Sequence, residues 1–211
     1  MIYLDNSATT KPHEDVLKTF LAVNEQYFAN PASIHRAGVE SNALLTKARE
    51  QLANILHTEE KNILFTSGGT ESNNAAIFGL AKSSNFRGKH IITTEIEHPS
   101  ILEAVKRLEE EGYEIDYLKV NKSGLISLEE LQQKLRKDTI IVSIMHVNNE
   151  MGAIQPIKEA AQIIHNQCQA MFHVDAIQSF GKLPVLFEGD AGPDVISISG
   201  HKIQGLKGSG L

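Results

Sequence analysis

The amino-acid sequence predicts an α/β fold, a mainly parallel sheet with helices on both faces. Short runs rich in β-branched residues alternate with longer segments whose apolar residues recur at helical spacing, which is the pattern of strand–helix–strand units. The run Thr139-Ile140-Ile141-Val142-Ser143-Ile144 is almost continuously apolar, as a strand covered on both faces is. Polar, chemically versatile residues follow most of these runs, and the strand ends of a parallel sheet share one edge.

Taken in order, residues 1–12 are a short apolar run and a polar turn, an N-terminal arm ahead of a large domain over 13–211. Residues 14–28 place Val16, Leu17, Phe20, Leu21, Tyr27 and Phe28 at roughly helical spacing, and the turn formers from Asn30 to Gly38 break that period. Leu44, Ala48, Leu52 and Ile55 make an amphipathic stripe over 39–57. Strands are expected at Ile63–Phe65, His90–Thr94, Ile115–Lys119, Thr139–Ile144, Met171–Val174 and 194–198, since β-branched runs suit a covered, pleated surface. A helix is expected over about 71–82, and another from Pro99, with Leu102, Val105 and Leu108 inward and Gly112 closing it in a left-handed conformation. Ser127-Leu128-Glu129-Glu130 reads as a capping box ahead of Leu131 and Leu135. Pro156 starts a helix with Ile157, Ala160, Ile164 and Cys168 in register, which makes Cys168 a packed structural thiol rather than a nucleophile.

Composition narrows the function classes. A chain of 211 residues can bury a substantial core, and 41% hydrophobic with 22% charged residues is ordinary for a globular protein. A net charge of −6 with interspersed signs argues against nucleic acid as a partner. No apolar run approaches the ~20 residues of a membrane span, and Met1 to Asp5 carries no secretory pattern. A single cysteine forms no intrachain disulfide, which fits a reducing compartment, so a cytoplasmic location without membrane contact is expected.

Five of the six expected strands are followed by loaded segments: Ser67–Glu71, Glu97-His98, His146–Glu150, Asp175–Gln178 and Ser199–Lys202. A parallel sheet would bring all of them to one crevice. Ser67-Gly68-Gly69-Thr70 opens a helix, where N–H groups, the helix dipole and hydroxyls can cradle a phosphate; simple capping is the competing reading. No P-loop or dinucleotide glycine order occurs. Lys202 sits among glycines beside His201; partial desolvation there would lower its pKa and make the amine a Schiff-base nucleophile, although a solvated loop lysine satisfies the same residues. Asp175 ends a strand, where it could hold the pyridinium N–H of a pyridoxal cofactor or equally serve as a capping or ion-paired Asp. His98 could stack on such a ring or move protons, and by itself reads as the N-cap neighbour of Pro99. His173, Asp175 and His201 fall short of a metal ligand set, so no metal is expected.

The stretches Tyr3–Thr10, Asn30–His35, Phe65–Asn73, Glu97–Ser100, Met145–Gly152, His173–Ser179 and Ser197–Lys202 together resemble the NifS/IscS-type cysteine desulfurases, class-V pyridoxal-phosphate enzymes of fold type I. The resemblance runs through the whole chain in order. It implies the large domain of that fold, with pyridoxal 5'-phosphate as cofactor and Lys202 as its Schiff-base lysine and proton shuttle. It also implies that Gly69, Thr70, Ser199 and His201 hold the phosphate, Asp175 pairs with the pyridine nitrogen and His98 stacks on the ring as a second catalytic group. Gln178 would reach the phenolic oxygen, and Asn149 would lie beside the ring and the substrate carboxylate.

The activity so implied is conversion of L-cysteine to L-alanine with a persulfide left on an enzyme cysteine, in a homodimer that passes sulfur to an acceptor protein of iron–sulfur assembly or of tRNA or cofactor thiolation. The sequence stops at Leu211, without the family's sulfur-accepting cysteine loop, its substrate-gripping arginine or its C-terminal small domain. An N-terminal part unable to complete sulfur transfer alone is therefore expected. The alternatives are a selenocysteine lyase or another class-V enzyme such as an aminotransferase, and a non-catalytic paralogue that only dimerises or binds a partner.

Overall fold

The computed structural model describes residues 2–184 and 192–211. Its sheet has five parallel strands in the order β2-β1-β3-β4-β5, with β1 at His90–Thr94, β2 at Glu114–Leu118, β3 at Thr139–Met145, β4 at Met171–Asp175 and β5 at Val195–Ser197. The helices are α1 (Glu14–Gln26), α2 (Arg36–Leu56), α3 (Gly69–Ser84), α4 (Pro99–Glu110), α5 (Leu128–Lys134) and α6 (Ile157–Gln167), of which α3 to α6 pack on the sheet. The sheet is covered on both faces, as expected. Ile77 and Ala81 of α3 and Ile101, Val105 and Leu108 of α4 pack with Ile91 and Ile141, while Leu131 of α5 and Ala160, Ala161 and Ile164 of α6 pack with Ile92, Val142, Phe172 and Val174. Neighbouring strand residues such as Ile91 and Ile92 thus serve opposite cores, which is why consecutive residues of these strands are apolar.

Strand order reverses between β1 and β3: β2 lies on one side of β1, while β3, β4 and β5 proceed on the other. The loops leaving β1 and β3 therefore diverge and open a crevice at the carboxyl edge. The register sets Met145 opposite Asp175 and Asp175 opposite Ser197, so the ends of three strands lie level on one side of that crevice.

Several local expectations change. Ile63–Phe65 is not a strand of the sheet; Ile63 is buried against Ala53, Leu56 and Ile198, and pairing in that segment is the isolated antiparallel bridge of Thr66 with Gly210. Its apolar character reports burial, which a β-branched run cannot distinguish from pairing. Helix α3 begins at Gly69 rather than near 71, with Gly68 as N-cap at φ +147, a backbone conformation only glycine enters freely. The loop read as a linker to Gly38 already contains the first turn of α2, because the His35 ring accepts from the Gly38 N–H as N-cap. On α2 Gly38, Ser41, Ala53 and Leu56 are buried, Leu52 packs beside the last two, Leu44 and Ala48 are half-buried, and Ile55 of the expected stripe is 60% exposed. The capping box is half formed: Ser127 Oγ accepts from Glu130 N at 3.1 Å, but the Glu130 carboxylate accepts from Lys119 N instead of returning to Ser127. Pro99 at the first position of α4 and Gly112 at φ +85 behave as expected.

Candidate active site

A cleft of about 600 Å³ at the carboxyl edge is lined by Gly69, Thr70, His98, Asn149, Asp175, Gln178, Ser199, His201 and Lys202, so every candidate residue read from the sequence meets in one place. Ser7 and Ala8 of the arm, Met145, Glu150 and Ile177 complete its wall.

Asp175 forms the floor. As the last residue of β4 it is 4% exposed; its Oδ1 accepts from Ile177 N at 3.0 Å and its Oδ2 from Asn73 Nδ2 at 2.8 Å. Burial raises this carboxyl above its usual value, against the pull of the Ile177 N–H, Asn73, His98 and Lys202. Two residues earlier, fully buried His173 joins Ser143 Oγ and Ser197 Oγ, each at 2.9 Å. It ties β3, β4 and β5 together behind Asp175, and desolvation pushes its pKa down to about 3, so it is neutral.

His98 is itself the N-cap of α4, so its capping and cleft-lining readings hold together. Its Nδ1 accepts from Ser100 N at 3.1 Å and lies 2.8 Å from Ser100 Oγ. Asn73 Nδ2 donates to that Ser100 Oγ at 2.9 Å as well as to Asp175. Since His98 Nδ1 accepts from the Ser100 N–H and so carries no proton, the Ser100 hydroxyl donates to it. The His98 proton therefore sits on Nε2, the nitrogen left free to face the cleft. Sequence reading missed Asn73 and Ser100. Asn73 stands at i, i+4, i+8 spacing with Ile77 and Ala81, all fully buried, and a polar residue on an apolar helical stripe was the available signal.

At the other wall, Gly69 and Thr70 open α3, whose N-terminus has no side-chain cap. Ser199 is 1% exposed and its buried Oγ has no partner. His201 accepts or donates at Nδ1 to Thr9 Oγ1 at 3.0 Å, and burial, then the charges of Lys202 and Lys207, lower its pKa. Lys202 lies at the end of a single 3-10 turn, Gly200–Lys202. Its Nζ donates to the carbonyls of Ser7 and, at 3.0 Å, Ala8. Burial and the nearby Lys182 lower the amine's pKa, opposed by Asp175 and Asp5. Gln178 Nε2 also donates to Ser7 O, at 2.9 Å. In this structure the arm thus takes the donors of both Lys202 and Gln178. Cys168 precedes β4, beyond the end of that strand opposite to Asp175, and does not line the cleft.

Fold and cleft together define a class: an α/β domain with a partly desolvated lysine, a buried carboxylate floor and a helix start without a side-chain cap at one strand edge. Residues 2–211 match the family described as aminotransferase class-V, and the chain belongs to it. Its relatives include the cysteine desulfurase IscS of Dictyoglomus turgidum, 44% identical over 209 residues that make up 99% of this chain and 52% of the relative. The human cysteine desulfurase is 45% identical over 210 residues, 99% of this chain and 46% of that protein. Among solved structures, a NifS-like protein superposes with a TM-score of 0.94 at 39% identity, covering 99% of this chain and 57% of that one. SspA in complex with cysteine gives 0.94 at 37% identity, covering 100% and 60%. The chain spans about half the length of the curated relatives it matches. Among the described residues, no helix is long and apolar enough to cross a membrane.

Proposed function

We propose that this chain is the cofactor-holding part of a pyridoxal-phosphate-dependent cysteine desulfurase acting on L-cysteine. The observation that carries the reading is the meeting of Lys202, Asp175 and His98 with Gly69, Thr70, Ser199 and His201 in one cleft. The residues fit the cofactor: the uncapped start of α3 and the unpartnered Ser199 Oγ are what a bound phosphate would satisfy. When bound, the cofactor supplies an electron sink for charge developed at the substrate's α-carbon.

The chain's own residues do the rest. Gly69, Thr70, Ser199 and His201 hold the phosphate. Asp175, kept in place by Asn73 and the Ile177 N–H, holds a proton on the ring nitrogen and gains the counter-charge that its burial lacks. Lys202, released from the Ser7 and Ala8 carbonyls, offers an amine with a lowered pKa both to hold the cofactor and to move a proton. His98 presents Nε2–H over the cleft, Gln178 reaches the phenolic oxygen, and Asn149 orients the substrate carboxylate. Cys168, half-buried and with its thiol pKa raised by burial, is not the sulfur acceptor.

The partners follow the same reading: a cytoplasmic homodimer that hands sulfur to an acceptor protein. Helix α1 supports self-association, since none of its residues is buried and Phe20 and Leu21 are 47% and 60% exposed. The experiment is to add pyridoxal phosphate, reduce with borohydride and map the modified peptide. Modification confined to Lys202, and absent in Lys202→Ala, is expected. Label scattered over surface lysines, or none, overturns the reading.

A further inference from the structure

Glu97, beside His98, is a buried carboxyl that the proposed chemistry does not use. It is 4% exposed. Its Oε1 accepts from Thr94 Oγ1 at 2.7 Å, at the end of β1, and from Met145 N at 2.8 Å, at the end of β3. Its Oε2 is buried without a partner. A second tie runs parallel: Asn148 Nδ2 donates to Ile96 O at 3.2 Å. The two loops that diverge at the switch point, one bearing His98 and the other Asn149, are thus fastened to each other through Glu97 and Asn148.

The charge state follows from the surroundings. Across β1 and β3 the partners of Glu97 are neutral, and from β4 the charge that acts on it is the like charge of Asp175. An ionised carboxylate would be buried without compensation, whereas a carboxylic acid keeps both bonds at Oε1.

We propose that Glu97 is a positioning residue: as a neutral carboxyl it fastens the His98 loop to the end of β3 and to the Asn149 loop, and its ionisation loosens both. This rests on the cleft reading for the roles of His98 and Asn149. Burial pushes its pKa up to about 8, so the change falls within a testable range. The folded chain keeps a proton that the unfolded chain releases above its ordinary value of 4.5. Stability is therefore lost as pH rises from about 4.5 to about 8, and is level beyond.

The test is thermal unfolding of the whole chain without cofactor, wild type against Glu97→Gln, from about pH 5 to 9, with pyridoxal phosphate affinity measured over the same range. Glutamine keeps an oxygen for Thr94 and Met145 but cannot ionise. The wild-type melting temperature is expected to fall by several degrees relative to Glu97→Gln between pH 5 and 8, with a constant gap above. Wild-type affinity should hold at lower pH and weaken severalfold as pH rises through about 8, where the folded carboxyl ionises, while the variant's stays level, which a purely structural role would not produce. A gap that does not change with pH overturns the neutral carboxyl; equal pH dependence of affinity in both proteins overturns the positioning role. If pyridoxal phosphate fails to label Lys202 while the gap still grows, the neutral carboxyl stands and the cofactor reading fails. Glu97→Ala, which removes both bonds, should weaken affinity at every pH.

Discussion

At the scale of single residues, the site depends on what each polar atom is left to do. Asp175 is buried with two N–H donors and no ion pair in contact, so a pyridinium partner would supply the charge it lacks. Asp175→Asn keeps the shape and removes the charge. One charge-assisted hydrogen bond is worth about 1.5–3 kcal/mol, so pyridoxal phosphate should bind about 10- to 100-fold more weakly, measured by titrating the visible band. The opposed conditions on His98 and Lys202 are also residue matters. Ser100 and its own helix terminus fix the His98 tautomer, whereas Lys202 is held by two arm carbonyls that its proposed role requires it to release.

At the scale of elements, the start of α3 is sensitive to substitution. A Cβ on Gly69 would collide with Ile177 Cδ1 and stand 3.5 Å from Ser199 Cβ, inside the anion cradle. Gly69→Ala should therefore cost about 1–3 kcal/mol as a lower melting temperature. It should also weaken pyridoxal phosphate binding more than pyridoxal binding, since only the former uses the cradle. Equal loss for both ligands would place the phosphate elsewhere. The α4 start shows a complementary economy: Pro99 needs no partner, and the His98 ring caps the next N–H while lining the cleft.

At the scale of the whole molecule, buried titratable groups shape stability. His173 is neutral when folded, with its pKa pushed from 6.5 to about 3 by burial, so the unfolded chain takes up the proton first. Stability is present above about 6.5 and is lost as pH falls toward 3. His90 and His146, lowered chiefly by burial, act in the same direction. Urea unfolding across that range should show an acid limb, and His173→Gln should flatten it while keeping hydrogen-bonding atoms near Ser143 and Ser197. Glu97 has the opposite sign, so between about 4.5 and 6.5 the two largely offset each other.

The amino-acid sequence by itself determined the α/β class, the positions of five strands and the set of residues at the cleft, because burial on both faces imposes continuous apolar runs and a parallel sheet collects strand ends at one edge. It placed Pro99 and Gly112 correctly, since their backbone restrictions are local. Only the tertiary structure decided that Ile63 fills the core while residues 63–65 stay out of the sheet, that Glu130 serves Lys119 rather than its own cap, and that Asn73 and Ser100 link His98 to Asp175. Each of these depends on which distant group arrives within hydrogen-bond reach, as does the hold of Ser7 and Ala8 on Lys202 across more than 190 positions of chain. Residue spacing encodes faces and periods, but partners far apart in sequence are chosen by packing.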